Sequence, residues 1–230
     1  MTFEQLLWEE TRRVDFSRLP FVRAVDAGTC PPSVLQAYAT ELAALATGFP
    51  RLLCAILALC DDADVRRAVL SNLLEEEGIT AYDDGHLVLS ADGGHGPLAQ
   101  ALARTLGVTG PLPRTPRTTP WLDDQLRAGR WLGPLAFVTV GYEANVPAVF
   151  KPIAAGLHRH YGYSAEDLRY LTMHVAADEE HGAEGVAVIA RVSRTPEQRE
   201  EALDGARRGV LGWYHLHRRL AQAMSRARCA

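Results

Sequence analysis

The sequence has little of the charge and apolar patterning that marks proteins bound to nucleic acids or membranes. Its formal net charge is −4, and it carries no basic stripe with interleaved aromatic residues. We find no apolar run that approaches the roughly 20 residues needed to span a bilayer. Residues 1–10 lack the basic and then apolar order of a signal peptide. These absences predict a protein whose partner is a small molecule, with no nucleic acid and no membrane.

Cysteine is also scarce. The four cysteines, Cys30, Cys54, Cys60 and Cys229, form no Cys-x-x-Cys pair, and none has an obvious activating neighbour. This pattern favours reduced thiols and a cytoplasmic location, and it makes a cysteine nucleophile the weaker alternative.

Strand-like alternation and internal repeats are missing, whereas helical periodicity covers most of the 230 residues. We therefore predict an all-α protein, a single domain over 1–230, with a glycine- and aspartate-rich connector insertion at 78–96 and a proline-rich loop at 110–120. Within the connector, only 87–89 is a candidate for extended structure. Pro50 either kinks a helix or starts a new one that reaches Cys60. Thr2 and Gln5 can form a capping box for a first helix that ends near 14, and Asp61 or Asp62 caps the helix that carries Val65, Val69 and Leu73. Pro147 and Pro152 flank a helical piece that reaches Tyr161. The other predicted helices cover 19–27, 33–49, 97–106, 121–128, 133–145, 165–192 and 195–225.

The helix predicted over 165–192, with Ser164 as its N-cap, carries the strongest functional signal. At about 100° per residue, His174, Asp178 and His181 fall within a sector roughly 60° wide, in the middle of an apolar stripe. Two imidazoles and a carboxylate on a buried face need compensation, and a metal ion suits these residue types. A hydrogen-bonded polar cluster or a solvated groove is the alternative. Glu179 and Glu180 point elsewhere.

Three further residues are candidate metal ligands. Glu143 shares the apolar face of the helix predicted over 133–145, either as a metal ligand or as a buried acid paired with an Arg or Tyr. Glu76 shares its helix face with more apolar residues than Glu75 or Glu77 does, although acids at a helix end are usually solvated. His95 precedes a new helix, with His86 as its rival. His158, His160, His215 and His217 are interpreted as surface or structural residues.

Taken together, these residues resemble the pattern of the haem-oxygenase-like diiron oxidases and oxygenases, relatives in fold of haem oxygenase, TenA and PqqC proteins. The resemblance runs from about residue 30 to 222. It implies a compact bundle of about seven helices. The motifs that carry it are Asn72-Leu73-Leu74-Glu75-Glu76, His95-Gly96-Pro97-Leu98, Glu143-Ala144-Asn145-Val146-Pro147 and the segment from His174 to His181.

The resemblance implies a diiron enzyme that uses O2 on a small organic substrate, amino-acid-like or carboxylate-bearing, in specialised biosynthesis. Two Fe(II) ions per chain are expected. Three His and three carboxylates suit ferrous iron and leave positions for O2, whereas ferritin-like bundles carry two Glu-x-x-His pairs and this chain has one analogue. By kinship, Glu76, Glu143 and His174 serve mainly one iron and His95, Asp178 and His181 the other, with Glu143 as a candidate bridge between the two. The reaction stays open among C–C cleavage, N-oxygenation and arylamine formation.

Candidates for a direct chemical role are Lys151 and Tyr142. Lys151 is the only lysine in the chain and is followed by Pro152. It is a leftover of an arginine-rich composition, a contact for a substrate carboxylate, or an amine donor of the kind that the resemblance to arylamine-forming members allows. Tyr142, Tyr170 and Tyr38 are tyrosines near the expected site. The alternative function is a metal-free PqqC- or TenA-like oxidase or hydrolase on the same bundle, and a homodimer is an open expectation.

Overall fold

The computed structural model describes residues 1–83, 86–91, 93–112 and 119–227. Cys229 and most of the predicted 110–120 loop lie outside the described residues. The described chain is mostly helical, with ten α-helices and one short hairpin, which confirms the all-α prediction. Several of the ten helices are short, such as the seven-residue α2 and the eight-residue α7.

The chain divides into two compact units, and their cores are described separately. Unit 1 comprises Met1–Val34 and Arg130–Ala230, and unit 2 comprises Leu35–Gly129. In unit 1 every residue of α7 is buried, and the side chain of Trp213 on α10 is among the largest that are fully buried. Unit 1 contains α1 (Phe3–Thr11), a 3₁₀ helix (Phe16–Arg18), α2 (Pro20–Asp26), α7 (Leu132–Thr139), a second 3₁₀ helix (Glu143–Asn145), α8 (Val146–Tyr161), α9 (Arg169–Val192) and α10 (Pro196–Ala227).

Unit 2 begins with two helices, which are followed by a β-hairpin. The β-hairpin is antiparallel, with Asp83 opposite His86 and Ile79 opposite Leu89. It replaces much of the predicted connector, and the extended structure expected at 87–89 is confirmed. The elements of unit 2 are α3 (Pro32–Leu59, which begins at the unit boundary), α4 (Ala63–Glu76), β1 (Ile79–Asp83), β2 (His86–Leu89), α5 (His95–Thr105) and α6 (Pro120–Arg127).

Helix starts follow the local hydrogen-bonding signals in the sequence. Thr2 and Gln5 form a capping box at α1, and the Asp62 carboxylate accepts hydrogen bonds from the backbone amides of Asp64 and Val65 at α4. These side chains satisfy amides that a helix leaves without partners in its first turn. The predicted starts of both helices are confirmed.

Helix α3 is continuous through Pro50, so the proline neither ends the helix nor starts a new one. Among the described residues it is the one helix that is long and apolar enough to cross a bilayer, judged by length and composition alone. The sequence-based statement that no apolar segment approaches that length is therefore too strong. The core helix of a soluble protein meets the same criterion, and α3 gives only weak evidence for a membrane.

Two helices differ from the predicted bounds near the expected site. The helix predicted over 133–145 ends at Thr139. Gly141 then follows, where a side chain would lie 2.5 Å from the carbonyl oxygen of Ala206 on α10, and the chain continues as a 3₁₀ turn. The helix predicted from 165 begins at Arg169. Ser164 and Asp167 do exchange capping hydrogen bonds, but these close a separate turn before α9.

Candidate metal centre

One face of α9 presents the expected ligands. His174 and Asp178 are buried, and the His181 side chain is 18% exposed. Glu179 and Glu180 are exposed to solvent. The helix therefore places these five side chains as the 3.6-residue period predicted, with the two imidazoles and one carboxylate turned inward.

The carboxylate of Glu143 joins this face. Glu143, Asp178 and His181 each offer one ligand atom, and these atoms all lie within 4.8 Å of one another. Metal–ligand bonds of about 2.1 Å place ligand atoms about 3 Å apart at right angles and about 4.2 Å apart across the ion. A single ion fits among the three groups after small movements. The His181 Nδ1 to Asp178 Oδ1 distance of 3.6 Å agrees with that geometry.

A close backbone approach positions Glu143 against α9. A side chain at Gly182 would lie 2.8 Å from Cα of Ala144, so this glycine allows the turn after Glu143 to touch the helix. Trp213 secures the turn from the other side, because its indole N–H donates to the carbonyl of Tyr142 at 3.2 Å. The Asn145 amide also donates to the carbonyl of Gly141 at 3.2 Å. Glu143 is thus buried although it does not lie on the predicted helix.

His174 is oriented by its own helix. Its Nδ1 lies 2.7 Å from the carbonyl oxygen of Tyr170, which assigns the proton of the neutral ring to Nδ1 and the lone pair to Nε2. A backbone carbonyl in this role is a common outer contact of metal-bound histidines. The rings of Tyr170 and Phe150 pack against the imidazole, with centroids 4.4 and 5.9 Å away. These contacts hold the ring in one orientation.

Unit 2 contains a second set of ligand-type residues. Glu76 at the end of α4 and His95 at the start of α5 are both buried, with His95 Nδ1 2.8 Å from Glu76 Oε1. Their rivals Glu75, Glu77 and His86 are exposed. Within unit 2, Glu76 therefore lies beside His95, and within unit 1 the Glu143 carboxylate lies with Asp178 and His181. How the ligands divide between two irons stays a prediction from kinship.

Two glycines bring the ends of α4 and α5 together. Gly78 and Gly94 have φ angles of 73° and 90°, and a side chain on Gly94 would lie 2.5 Å from the carbonyl oxygen of Glu76. Only glycine adopts these angles and this approach at little cost. We call this Gly78–Gly94 contact the neck of the hairpin, and it places Glu76 beside His95.

The donor set fits iron. Glu143 is 4% exposed and Asp178 is 5% exposed, and two carboxylates this deeply buried cost several kcal/mol of desolvation unless positive charge or a proton compensates. Mixed carboxylate and imidazole donors suit ferrous iron and related divalent ions. The residues therefore match what an iron site requires.

The two residues proposed for direct chemistry lie in different environments. Tyr142 is half-buried next to Glu143 and stacks on Trp213, with ring centroids 4.1 Å apart and planes 14° apart. Lys151 is exposed and lines a surface groove together with Thr172 and Val175 of α9. These α9 residues lie roughly 120° around the helix from the ligand face. Lys151 therefore faces a different side of α9 from His174 and its neighbours.

Sequence reasoning missed the residues that support the ligands. Trp213 and Asn145 hold the turn that carries Glu143, and their roles depend on contacts distant in sequence. A usable signal was present for Gly182 and Gly185, because both glycines extend the ligand face of α9 by helical spacing. Small residues on an inward face indicate a close backbone approach.

Comparison with known proteins identifies the family of the chain. The profile of a protein family described as iron-containing redox enzymes matches residues 36–214. The chain is similar to 4-aminobenzoate synthase of Chlamydia muridarum (strain MoPn / Nigg), with 30% identity over 186 residues that cover 76% of this chain and 72% of the relative. It is 29% identical to 4-aminobenzoate synthase of Chlamydia pneumoniae over 170 residues, which cover 71% and 70% of the two chains.

Solved structures show the fold. A TenA homologue from Pseudomonas syringae pv. tomato aligns with a TM-score of 0.74 at 12% identity, covering 95% of this chain and 92% of that chain. A domain of unknown function with a haem-oxygenase-like fold from Shewanella denitrificans aligns with a TM-score of 0.66 at 13% identity, covering 96% and 90%. The fold is haem-oxygenase-like, as the resemblance implied.

Proposed function

Because the chain belongs to the family of iron-containing redox enzymes, we propose that it is a non-haem diiron oxidase or oxygenase that uses O2 on a small organic molecule. The observation that carries the proposal is the convergence of Glu143, Asp178 and His181 in a buried part of unit 1. Bound iron supplies the activation of O2, by which hydrogen is removed from the substrate or oxygen is added to it.

The side chains of the protein hold the iron, orient its ligands and shield the site from water. Glu143 and Asp178 supply anionic oxygens and His181 supplies a neutral nitrogen, a set whose two negative charges balance the charge of one ferrous ion. His174 supplies a further neutral nitrogen. The carbonyl of Tyr170 fixes the tautomer of His174. The rings of Phe150 and Tyr170 beside His174 keep water from its apolar side. Substrate hydrogens then face a dry, preorganised site.

Glu76 and His95 complete the six residues that we assign to iron. In unit 2 the carboxylate and the imidazole already stand at the spacing of two neighbouring ligands. We assign two Fe(II) ions per chain on this basis and on kinship. This assignment is tested separately from that of the unit 1 residues, through substitutions in unit 2 alone.

The substrate class is supported by the named relatives. The two proteins at 30% and 29% identity are called 4-aminobenzoate synthases, so formation of 4-aminobenzoate is the specific reaction to test first. Expression in a bacterial strain that requires 4-aminobenzoate for growth tests it directly. Growth that depends on Asp178 supports this reaction. If the iron-loaded protein consumes O2 but does not restore growth, the oxidase proposal stands with a different substrate.

A metal-free oxidase or hydrolase on the same fold is the second candidate, since the TenA homologue shares the architecture. A hydrolase of that kind would need an activated cysteine. Burial raises the pKa of the Cys60 thiol above its ordinary value, which is the opposite of what a thiolate nucleophile needs. Cys60 is therefore a poor nucleophile, which argues against a hydrolase that uses this thiol.

The proposal is tested by anaerobic reconstitution with ferrous iron, followed by iron analysis and measurement of O2 consumption. We expect about two iron ions per wild-type chain. Asp178→Asn should lose iron and lower O2 consumption by about two orders of magnitude or more, because a charged ligand is removed. Glu179→Gln is the matched control, since Glu179 is the adjacent exposed acid. A folded wild-type protein that takes up no iron would refute the iron-dependent function.

A further inference from the structure

A groove of about 340 Å³ lies on the surface of unit 1, apart from the iron ligands. One wall is a face of α8, where Lys151, Ala154, Ala155 and His158 recur at helical spacing. The other wall consists of Thr172 and Val175 on α9 and of Ala165 and Leu168, which precede this helix. Its α9 residues lie roughly 120° around the helix from His174, Asp178 and His181. The groove is thus separate from the proposed iron site.

The dimensions of the groove suit a small molecule. The seven-residue interval from Lys151 to His158 along α8 corresponds to about 10 Å. A groove of this length accommodates less than two turns of a docked helix, so a protein segment would find little surface there. The volume lies near the lower end of the range of roughly 300–1,000 Å³ that is usual for small-molecule pockets.

The chemistry of the lining selects the class of ligand. Three alanines, Leu168 and Val175 make the groove mostly aliphatic. Among the residues that the structure describes, the Lys151 ammonium has no hydrogen-bond or ion-pair partner. The hydroxyl of Thr172 already donates to backbone carbonyls of α9. Lys151 is therefore the cation available to an incoming anion at one end of this apolar groove.

We propose that this groove binds a short aliphatic monocarboxylate, with the carboxylate on Lys151 and the hydrocarbon part along Ala154, Ala155 and Val175. This site goes beyond the proposed iron-dependent reaction and does not depend on it. An ion pair alone at an exposed lysine is weak. Burial of the hydrocarbon part supplies the remaining affinity, at about 25 cal/mol per Å² of apolar surface removed from water.

The experiment uses the full iron-loaded chain and sodium hexanoate, with hexan-1-ol as the uncharged control and ligand-observed NMR titration as the readout. Wild-type protein should bind hexanoate and should bind hexanol more weakly. Lys151→Met keeps the length of the side chain and removes its charge, and it should weaken hexanoate binding by about tenfold or more. Ala155→Trp should fill the groove and abolish the binding of hexanoate.

Two control variants separate this site from its alternatives. Arg219→Met removes one positive charge at an exposed residue of α10, and it should leave hexanoate binding unchanged. Asp178→Asn, which is expected to lose iron, should also keep it. The proposal is overturned if Lys151→Met binds hexanoate as wild type does, if binding disappears only with Asp178→Asn, or if wild-type protein shows no binding up to about 10 mM.

Discussion

The ligand-type residues of the two units are assembled in different ways. In unit 1, His174, Asp178 and His181 are fixed by the period of one long helix, and only Glu143 comes from another segment. In unit 2, Glu76 and His95 come from two helix ends on either side of a hairpin. The first set depends on side-chain spacing along one helix, whereas the second depends on the backbone conformation of two glycines. Substitutions should therefore affect the two sets by different physical routes.

The largest expected effect that bears on this comparison comes from Glu76. Glu76→Gln removes the charge of a buried carboxylate that lies 2.8 Å from His95. We expect the iron content to fall by about one ion per chain, because the amide is a much weaker ligand than the carboxylate. Glu77→Gln is the matched control, since Glu77 is the exposed next residue. Equal iron content in both variants would remove Glu76 from the proposed ligands.

His217 makes the stability of unit 1 depend on pH. Burial lowers the pKa of His217 from its ordinary value of 6.5 to about 4, although the hydrogen bond to the carbonyl of Trp213 acts in the opposite direction. The unfolded chain therefore binds a proton near pH 6.5 that the folded chain does not bind until about pH 4. The stabilisation is complete above pH 6.5 and is lost as the pH falls towards 4.

We accordingly expect wild-type protein to lose about 2–3 kcal/mol of unfolding free energy from this group between pH 7 and pH 4.5. Urea unfolding of wild type and of His217→Phe at the two pH values isolates the contribution, because the ring of Phe fits among Phe16, Phe21 and Trp213. The control His215→Gln, at an exposed residue, should lose as much unfolding free energy between the two pH values as wild type does. The assignment to His217 fails if His217→Phe loses as much stability in acid as wild type does.

A smaller effect tests the close approach that positions Glu143. Gly182→Ala places a methyl group 2.8 Å from the backbone of Ala144, so we expect a loss of about 1–3 kcal/mol in unfolding free energy. At Gly212 on α10 the added methyl would meet only the ring of Phe137, at 3.8 Å. Gly212→Ala should therefore stabilise the helix by about 0.5–1 kcal/mol. Thermal unfolding of both variants measures this difference. A change of the unfolding temperature in the same direction for Gly182→Ala and Gly212→Ala would contradict the prediction.

The sequence predicted what local periodicity determines. The inward face of His174, Asp178 and His181 follows from helical spacing alone, and Glu76 was preferred over its neighbours for the same reason. His95 could not be separated from His86 in this way, because their difference depends on the hairpin and its glycine neck. These are backbone conformations that side-chain patterning does not encode.

Glu143 is buried as predicted, although it does not lie on the predicted helix. The predicted helix over 133–145 placed it on an apolar face, whereas the real chain leaves the helix at Thr139 and buries Glu143 from a 3₁₀ turn. The break arises where Gly141 meets the backbone of α10, a tertiary contact that no local pattern contains. The late start of α9 has a local cause, because Ser164 and Asp167 close their own turn.

The neck at Gly78 and Gly94 has a consequence for how the chain tolerates insertion. The amide of Ser90 donates to the carbonyl of Gly78 at 2.6 Å, so the hairpin is closed where it leaves the helices. Beyond that closure, Leu87 and Leu89 are 55% and 66% exposed. The described part of the hairpin beyond this closure is thus an appendage, and we expect Glu76 and His95 to keep their spacing when a tag or a shorter turn is grafted there.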